Sequence, residues 1–155
     1  MADTGNVEAV RAAVGALNSG DPEGYLQAFT PTSLRWVPGI EQPFPLVDIA
    51  ENIEQLLSAF TGFLLGEELL FGGGRHVCAR WRMVGTHTGE YLGIPATGRA
   101  ISVEQCEVYE FDADEGGRVT NTWSYGDPLA MFHQLGVVPG AAAAEGDGES
   151  TNAER

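Results

Sequence analysis

The feature that most constrains this chain is a change of period near Glu67. Before it, apolar residues recur at helical spacing; after it, they alternate with polar ones, which is the signature of strands. Val7, Val10, Val14 and Leu17 predict a helix over 6–18, stopped by Asn18-Ser19-Gly20. Asp21-Pro22 restarts the chain as a short helix over 22–29 that buries Tyr25, Leu26 and Phe29, because Asp caps and Pro fits a first helical turn. The segment TPTSLRWVPGIEQPFPL carries too much Pro and Gly for a long element. Leu34–Val37 fits a short strand with Trp36 inward. Asp48 with Glu51 three residues on matches a capping box, opening a helix over 49–61 with Ile49, Ile53, Leu56, Leu57 and Phe60 on its apolar face.

Past Glu67 the pattern predicts a strand, a turn at Gly72-Gly73-Gly74, and strands over 76–86, 100–111 and 118–126. The triple glycine opens no helix, so it lacks the helix-end amides that a phosphate loop requires. Asp127-Pro128 starts a last helix bearing Leu129, Phe132 and Leu135. Helices followed by a connected antiparallel sheet favour an α+β fold over a doubly wound one. The chain has 155 residues, 43% of them hydrophobic, enough for one domain over 1–138. Residues 139–155, rich in Ala, Gly and Glu, have almost nothing to pack and are expected to form a disordered tail.

Charge narrows the partners. There are 22 acidic residues against 8 basic ones, giving −14, and every basic residue is arginine. Such a balance repels phosphate backbones and anionic lipid surfaces, so neither nucleic acid nor membrane is an expected partner. No apolar run approaches a membrane span and the first residues lack a secretory pattern, so a cytoplasmic protein is the default expectation. Cys78 and Cys106 lie in strand-like segments and read as small buried apolar groups rather than a disulfide. His76 and Cys78 have too few companions for a zinc site, and no metal or cofactor is expected.

The chemistry-bearing residues gather on one hairpin. With a turn centred between Glu115 and Gly116, Glu107 faces Ser124, Tyr109 faces Thr122, and Gln105 faces Gly126. Glu107 in an apolar pocket is a candidate general base or acid. Gln105 and Ser124 would then hold a carbonyl or hydroxyl, with Tyr109 donating a hydrogen bond. A wet or arginine-paired Glu107 fits the same pattern. His87, between two threonines, fits either a proton acceptor or a histidine that secures the Gly93–Gly98 loop. Trp81 and Met83 alternate with Arg80 and Arg82, so they face either a pocket or the core, and Trp36 would add a second aromatic wall. The hairpin's other face, with Cys106, Val108, Trp123 and Tyr125, needs a cover such as a second copy of the chain.

Three stretches, GTHTGEYLGIPATGR, ISVEQCEVYEF and GRVTNTWSYGDPLAMFHQLG, together resemble the SnoaL-like polyketide cyclase family, with the resemblance covering about residues 6–137. It implies a curved, mostly antiparallel sheet forming a cone-shaped barrel closed by N-terminal helices. It also implies a deep apolar pocket for an aromatic or polycyclic small molecule and a homodimer packed through the outer sheet face. The cyclases of this family carry an acid/base Asp where this chain has Ser124, and a His where it has Glu107, while Gln105 is kept. Serine alone cannot replace a carboxylate as a general base. The expected function is a cofactor-free enzyme of polyketide or related secondary metabolism that cyclises, isomerises or dehydrates its substrate by acid/base chemistry. A hydroxylation-assisting tailoring enzyme and a non-catalytic binding or scavenging protein are the alternatives. The expected site is Glu107, Gln105, Ser124 and His87, with Trp36, Trp81, Met83, Tyr109 and Thr122 binding substrate.

Overall fold

A computed structural model describes residues 4–138; the expected tail, residues 139–155, lies outside them. Helix α1 (Thr4–Asn18) and the short α2 (Pro22–Leu26) lead into strand β1 (Phe29–Trp36). A two-residue strand β2 (Phe44–Pro45) precedes helix α3 (Leu46–Ala59). Four long strands follow: β3 (Phe60–Gly73), β4 (His76–His87), β5 (Ala100–Asp112) and β6 (Arg118–Gly126), and helix α4 (Pro128–Leu135) closes the order.

All six strands form one sheet in the order β2-β1-β6-β5-β4-β3. β3 to β6 are a plain antiparallel meander, whereas β1 joins β6 in parallel, so the sheet is mixed. The fold is therefore α+β, but the expected barrel does not close: β2 and β3 end the sheet at opposite edges and do not pair. Both edges have reasons to stay open. β2 is two residues long and one of them is Pro45, which has no amide to donate. At the other edge the side chain of Asn18, the last residue of α1, takes the place of a strand: its Oδ1 accepts from Leu65 N at 2.8 Å and its Nδ2 donates to Leu65 O at 2.9 Å.

Helices α1 and α3 cover the inner face. Val10, Val14 and Leu17 from α1 and Ile49 and Ile53 from α3 are buried with Trp81, Tyr109, Phe111 and Val119 of the sheet. Arg11 ties α1 to the sheet through Glu67, at 2.8 Å from Nε. Several local expectations shift. Phe29 is buried as predicted, but in a strand rather than a helix. Pro45, not Asp48, precedes α3, and it offers no side-chain cap. Phe60 opens β3, seven residues before the predicted change of period, because β-branched and aromatic residues there pack equally well in a strand. Asp127 caps α4 as predicted, accepting from Ala130 N at 2.9 Å. Met131 and Leu135 are the buried residues of that helix, while Leu129 is exposed.

The outer face carries one apolar row across five strands, Phe71, Cys78, Val108, Trp123 and Trp36, set by consecutive strand registers. The cysteines are half-buried on this face rather than in the core. They are free thiols on adjacent strands, with sulfurs 3.9 Å apart.

Candidate functional site

The hairpin register is the predicted one: Glu107 pairs with Ser124, Tyr109 with Thr122, and Gln105 with Gly126. The sheet's register shift on this hairpin falls between Glu110 and Phe111, beyond these pairs. Alternation along β5 sends Gln105, Glu107 and Tyr109 to the inner face. There Glu107, only 3% exposed, lines a cavity of about 500 Å³ between the sheet and the helices. Ile49, Ile53 and Leu56 of α3, Phe63 and Leu65 of β3, and Met131 and Phe132 of α4 give it apolar walls.

The carboxylate of Glu107 is surrounded by donors. Gln105 Nε2 donates to its Oε1 at 3.1 Å and to Ser124 Oγ at 3.0 Å, and Ser124 Oγ donates to the same Oε1 at 3.3 Å. The Tyr109 hydroxyl donates to Oε2. An ionised carboxylate is an acceptor only, so all three neighbours are oriented by it. Gln105, with both amide hydrogens drawn to Glu107 and Ser124, keeps its carbonyl oxygen uncommitted.

Sequence reasoning missed two members of this cluster. Arg35, on β1, brings Nη2 to 3.7 Å from Glu107 Oε1, and the two side chains are 12% and 4% exposed. Arg35 Nη2 also donates to the Tyr25 hydroxyl at 3.3 Å. Burial alone would lower the Arg35 pKa, but Tyr25, Glu107 and Tyr109 outweigh it, and the guanidinium lies above its ordinary value. Burial pushes the Tyr25 phenol up to about 12, with the charge of Glu107 adding to it. Tyr109 rises well above its ordinary value for the same two reasons in the same order. Both phenols thus stay protonated donors at neutral pH. The signal available in the sequence was parity: if Trp36 faces outward, its neighbour Arg35 faces in.

The other proposed residues divide. Met83 lines the cavity with Gln105, Glu107 and Ser124. Trp81 and Thr122 are buried on the same inner face but among core residues and outside the cavity lining. Tyr109 lies behind the cavity lining and reaches the site through Glu107 and Tyr25. Trp36 lies on the outer face, about one-third exposed, and its indole donates to Asn121 Oδ1 at 3.0 Å. His87 is fully buried at the end of β4, away from the cavity lining; its Nδ1 accepts from Thr97 N at 3.2 Å and stands 3.0 Å from Thr97 Oγ1. That bond secures the loop before β5, which is the second of the two roles expected for this histidine. Among the described residues no group of three or more His, Cys, Asp or Glu is placed to hold a metal ion, and no helix is long and apolar enough to cross a membrane.

Solved structures share this fold. AclR, a proposed hydroxylase from Streptomyces galilaeus, superposes with a TM-score of 0.79 at 22% identity, over 88% of this chain and 83% of its own. TsrD from Streptomyces laurentii gives 0.75 at 25% identity, over 89% and 100%. IdmH, a proposed polyketide cyclase from Streptomyces antibioticus, gives 0.73 at 23%, over 85% and 99%. No curated protein matches the chain. The model of one family, SnoaL-like polyketide cyclase, matches residues 7–135, a span that takes in α2, β1 and the whole Glu107 cluster. By that match, on the fold just described, the chain belongs to the SnoaL-like polyketide cyclase family.

Proposed function

We propose that this protein is a cofactor-free enzyme of polyketide or related secondary metabolism. It moves a proton on an aromatic or polycyclic intermediate during cyclisation, isomerisation or dehydration. The observation that carries this reading is a carboxylate, Glu107, buried in the lining of a cavity with apolar walls. Glu107 takes the proton, and Gln105, through its uncommitted carbonyl oxygen, accepts from a substrate hydroxyl beside Ser124. Ser124 is oriented for this by its bond to Glu107 rather than acting as a base itself. The test is Glu107→Gln assayed against aromatic polyketide intermediates, with ligand binding and melting measured alongside. Loss of about 100-fold or more in turnover with binding kept supports proton transfer, the range typical of a positioned acid or base. Full turnover removes Glu107 from the mechanism.

A second reading is favoured by the crowding of that carboxylate. Three donors already occupy it, which suits a binding or scavenging protein that holds its ligand unchanged. Prolonged incubation with a bound compound, followed by mass and absorbance analysis of the recovered ligand, separates the two. We also propose that two copies pair through the outer sheet face, because the row from Phe71 to Trp36 leaves a contiguous apolar surface in one copy.

A further inference from the structure

The cavity floor holds more hydrogen-bond donors than it can use. The Arg35 guanidinium has five N–H groups. Its one hydrogen bond goes to the Tyr25 hydroxyl. Arg35 Nε is buried with no partner, and Glu107 stands at 3.7 Å, in the range of an ion pair but beyond a hydrogen bond. Tyr25 accepts that bond and also interacts with the Tyr109 hydroxyl, so the unmet donor of the pair is Arg35 Nε. Glu107 does not take up the surplus in this arrangement: it accepts from Tyr109, Gln105 and Ser124, and Arg35 stands beyond hydrogen-bond reach of it. Both Arg35 and Tyr25 line the cavity. A buried donor without an acceptor is rare in folded proteins and marks a place where something else supplies one.

We propose that the ligand of this cavity presents an ionisable oxygen, a phenol or an enol, which is bound as its anion against Arg35 and Tyr25. The inference rests on the cavity being the ligand site proposed above, and it adds the class of ligand. The apolar walls take the carbon framework, and the oxyanion sits at Arg35, the one cationic group of the lining among the described residues. Binding as the anion releases the phenolic or enolic proton to solvent; no bond other than O–H is broken. In an enzyme that removes a proton next to a carbonyl, the same donors would stabilise the enolate oxygen as charge develops on it.

Other groups around Arg35 oppose the idea and make the test sharp. Glu107 and Tyr109 of β5 face it alongside Tyr25 of α2. Asp48 and Glu51 of α3, Glu104 of β5 and Asp127 at the start of α4 also line the cavity as carboxylates. These four are exposed, so solvent and salt screen them, whereas the Arg35 side chain is only 12% exposed. Without a donor pair for the oxyanion, an apolar cavity edged by carboxylates raises the pKa of a bound phenol. With one, it lowers it. The sign decides.

The experiment titrates 2-naphthol bound to the wild-type protein, reading the naphtholate by its absorption and fluorescence. The expected result is a bound pKa about one unit or more below that of free 2-naphthol, equivalent to about tenfold tighter binding of the anion. Arg35→Met is expected to reverse the shift, and Glu107→Gln to deepen it by removing the nearest negative charge. Should Arg35→Met fail to fold, the wild-type sign and Glu107→Gln still decide. A bound pKa equal to or above that of free 2-naphthol overturns the inference and leaves the cavity as a ligand site. No binding of 2-naphthol or of larger phenols such as hydroxyanthraquinones overturns both.

Discussion

Removing Arg35 should cost the fold more than its position on a short N-terminal strand suggests. At 3.7 Å from Glu107, a unit charge pair at an effective dielectric of 20 interacts by about 4 kcal/mol. Breaking a buried pair from one side typically costs about 3–5 kcal/mol, since the remaining charge stays buried. Here Glu107 keeps Tyr109, Gln105 and Ser124 as donors, which soften the loss, so Arg35→Met should destabilise by about 3 kcal/mol. Glu107→Gln should cost about 2–3 kcal/mol, because an amide nitrogen then faces groups that were donating to oxygen. The double variant Arg35→Met/Glu107→Gln should cost about 2 kcal/mol less than the sum of the two. The three tryptophans provide the fluorescence signal for urea unfolding of all four proteins. Single effects that add to within about 0.5 kcal/mol would show two independent residues, and the account of the site as one ionic unit would fail.

Three further outcomes can be checked. Tyr25 has its pKa raised from 10.0 to about 12 in the fold, so between those values the native state holds a proton that the unfolded chain has lost. Stability is therefore complete below pH 10 and falls by up to about 2–3 kcal/mol as pH rises towards 12; urea midpoints measured across this range should drop, and a flat profile would refute the burial argument. Gly89 has no room for a methyl group, since a Cβ there would lie 2.7 Å from the backbone oxygen of Ser58. Gly89→Ala should lower stability by about 1–3 kcal/mol, read as a fall in Tm, with an unchanged Tm as the contrary result. On the outer face, Phe71→Glu should convert a dimer to a monomer in light scattering without lowering Tm by more than a few degrees. A wild-type protein that is already monomeric at micromolar concentration would dispose of the paired-sheet proposal.

The meander was legible in the sequence because its signals are local. Alternation from His76 onwards, the Asp112–Gly117 turn and the Asp127-Pro128 start each act within a few residues, and together they placed Glu107 opposite Ser124. What depends on distant partners was not legible. Whether Trp36 or Arg35 faces inward is set by the parallel register of β1 on β6, and nothing near residue 35 encodes that register. The same blindness hid Arg35 and Tyr25 from the candidate site, although both touch its chemistry. Barrel closure failed for a related reason: it depended on the resemblance, while the edges are settled by Pro45 and by the side chain of Asn18 standing in for a strand. Alternation with Arg80 and Arg82 left Trp81 facing either the pocket or the core, and it is buried in the core.

The parallel pairing of β1 also bears on the order in which the molecule can be made. β3 to β6 each pair with the strand next in sequence, so they can form as the chain lengthens. β1 cannot: Ser33 donates to the carbonyl oxygen of Val119, 86 residues later, at 2.5 Å. During synthesis the first strand must wait, with only the two-residue β2 beside it, until the last has left the ribosome, and such long-range closures are slow. Arg35 travels on that waiting strand. The ionic floor of the cavity is then assembled at the end of folding, and a chain stalled before β6 would carry Glu107 without its counter-charge.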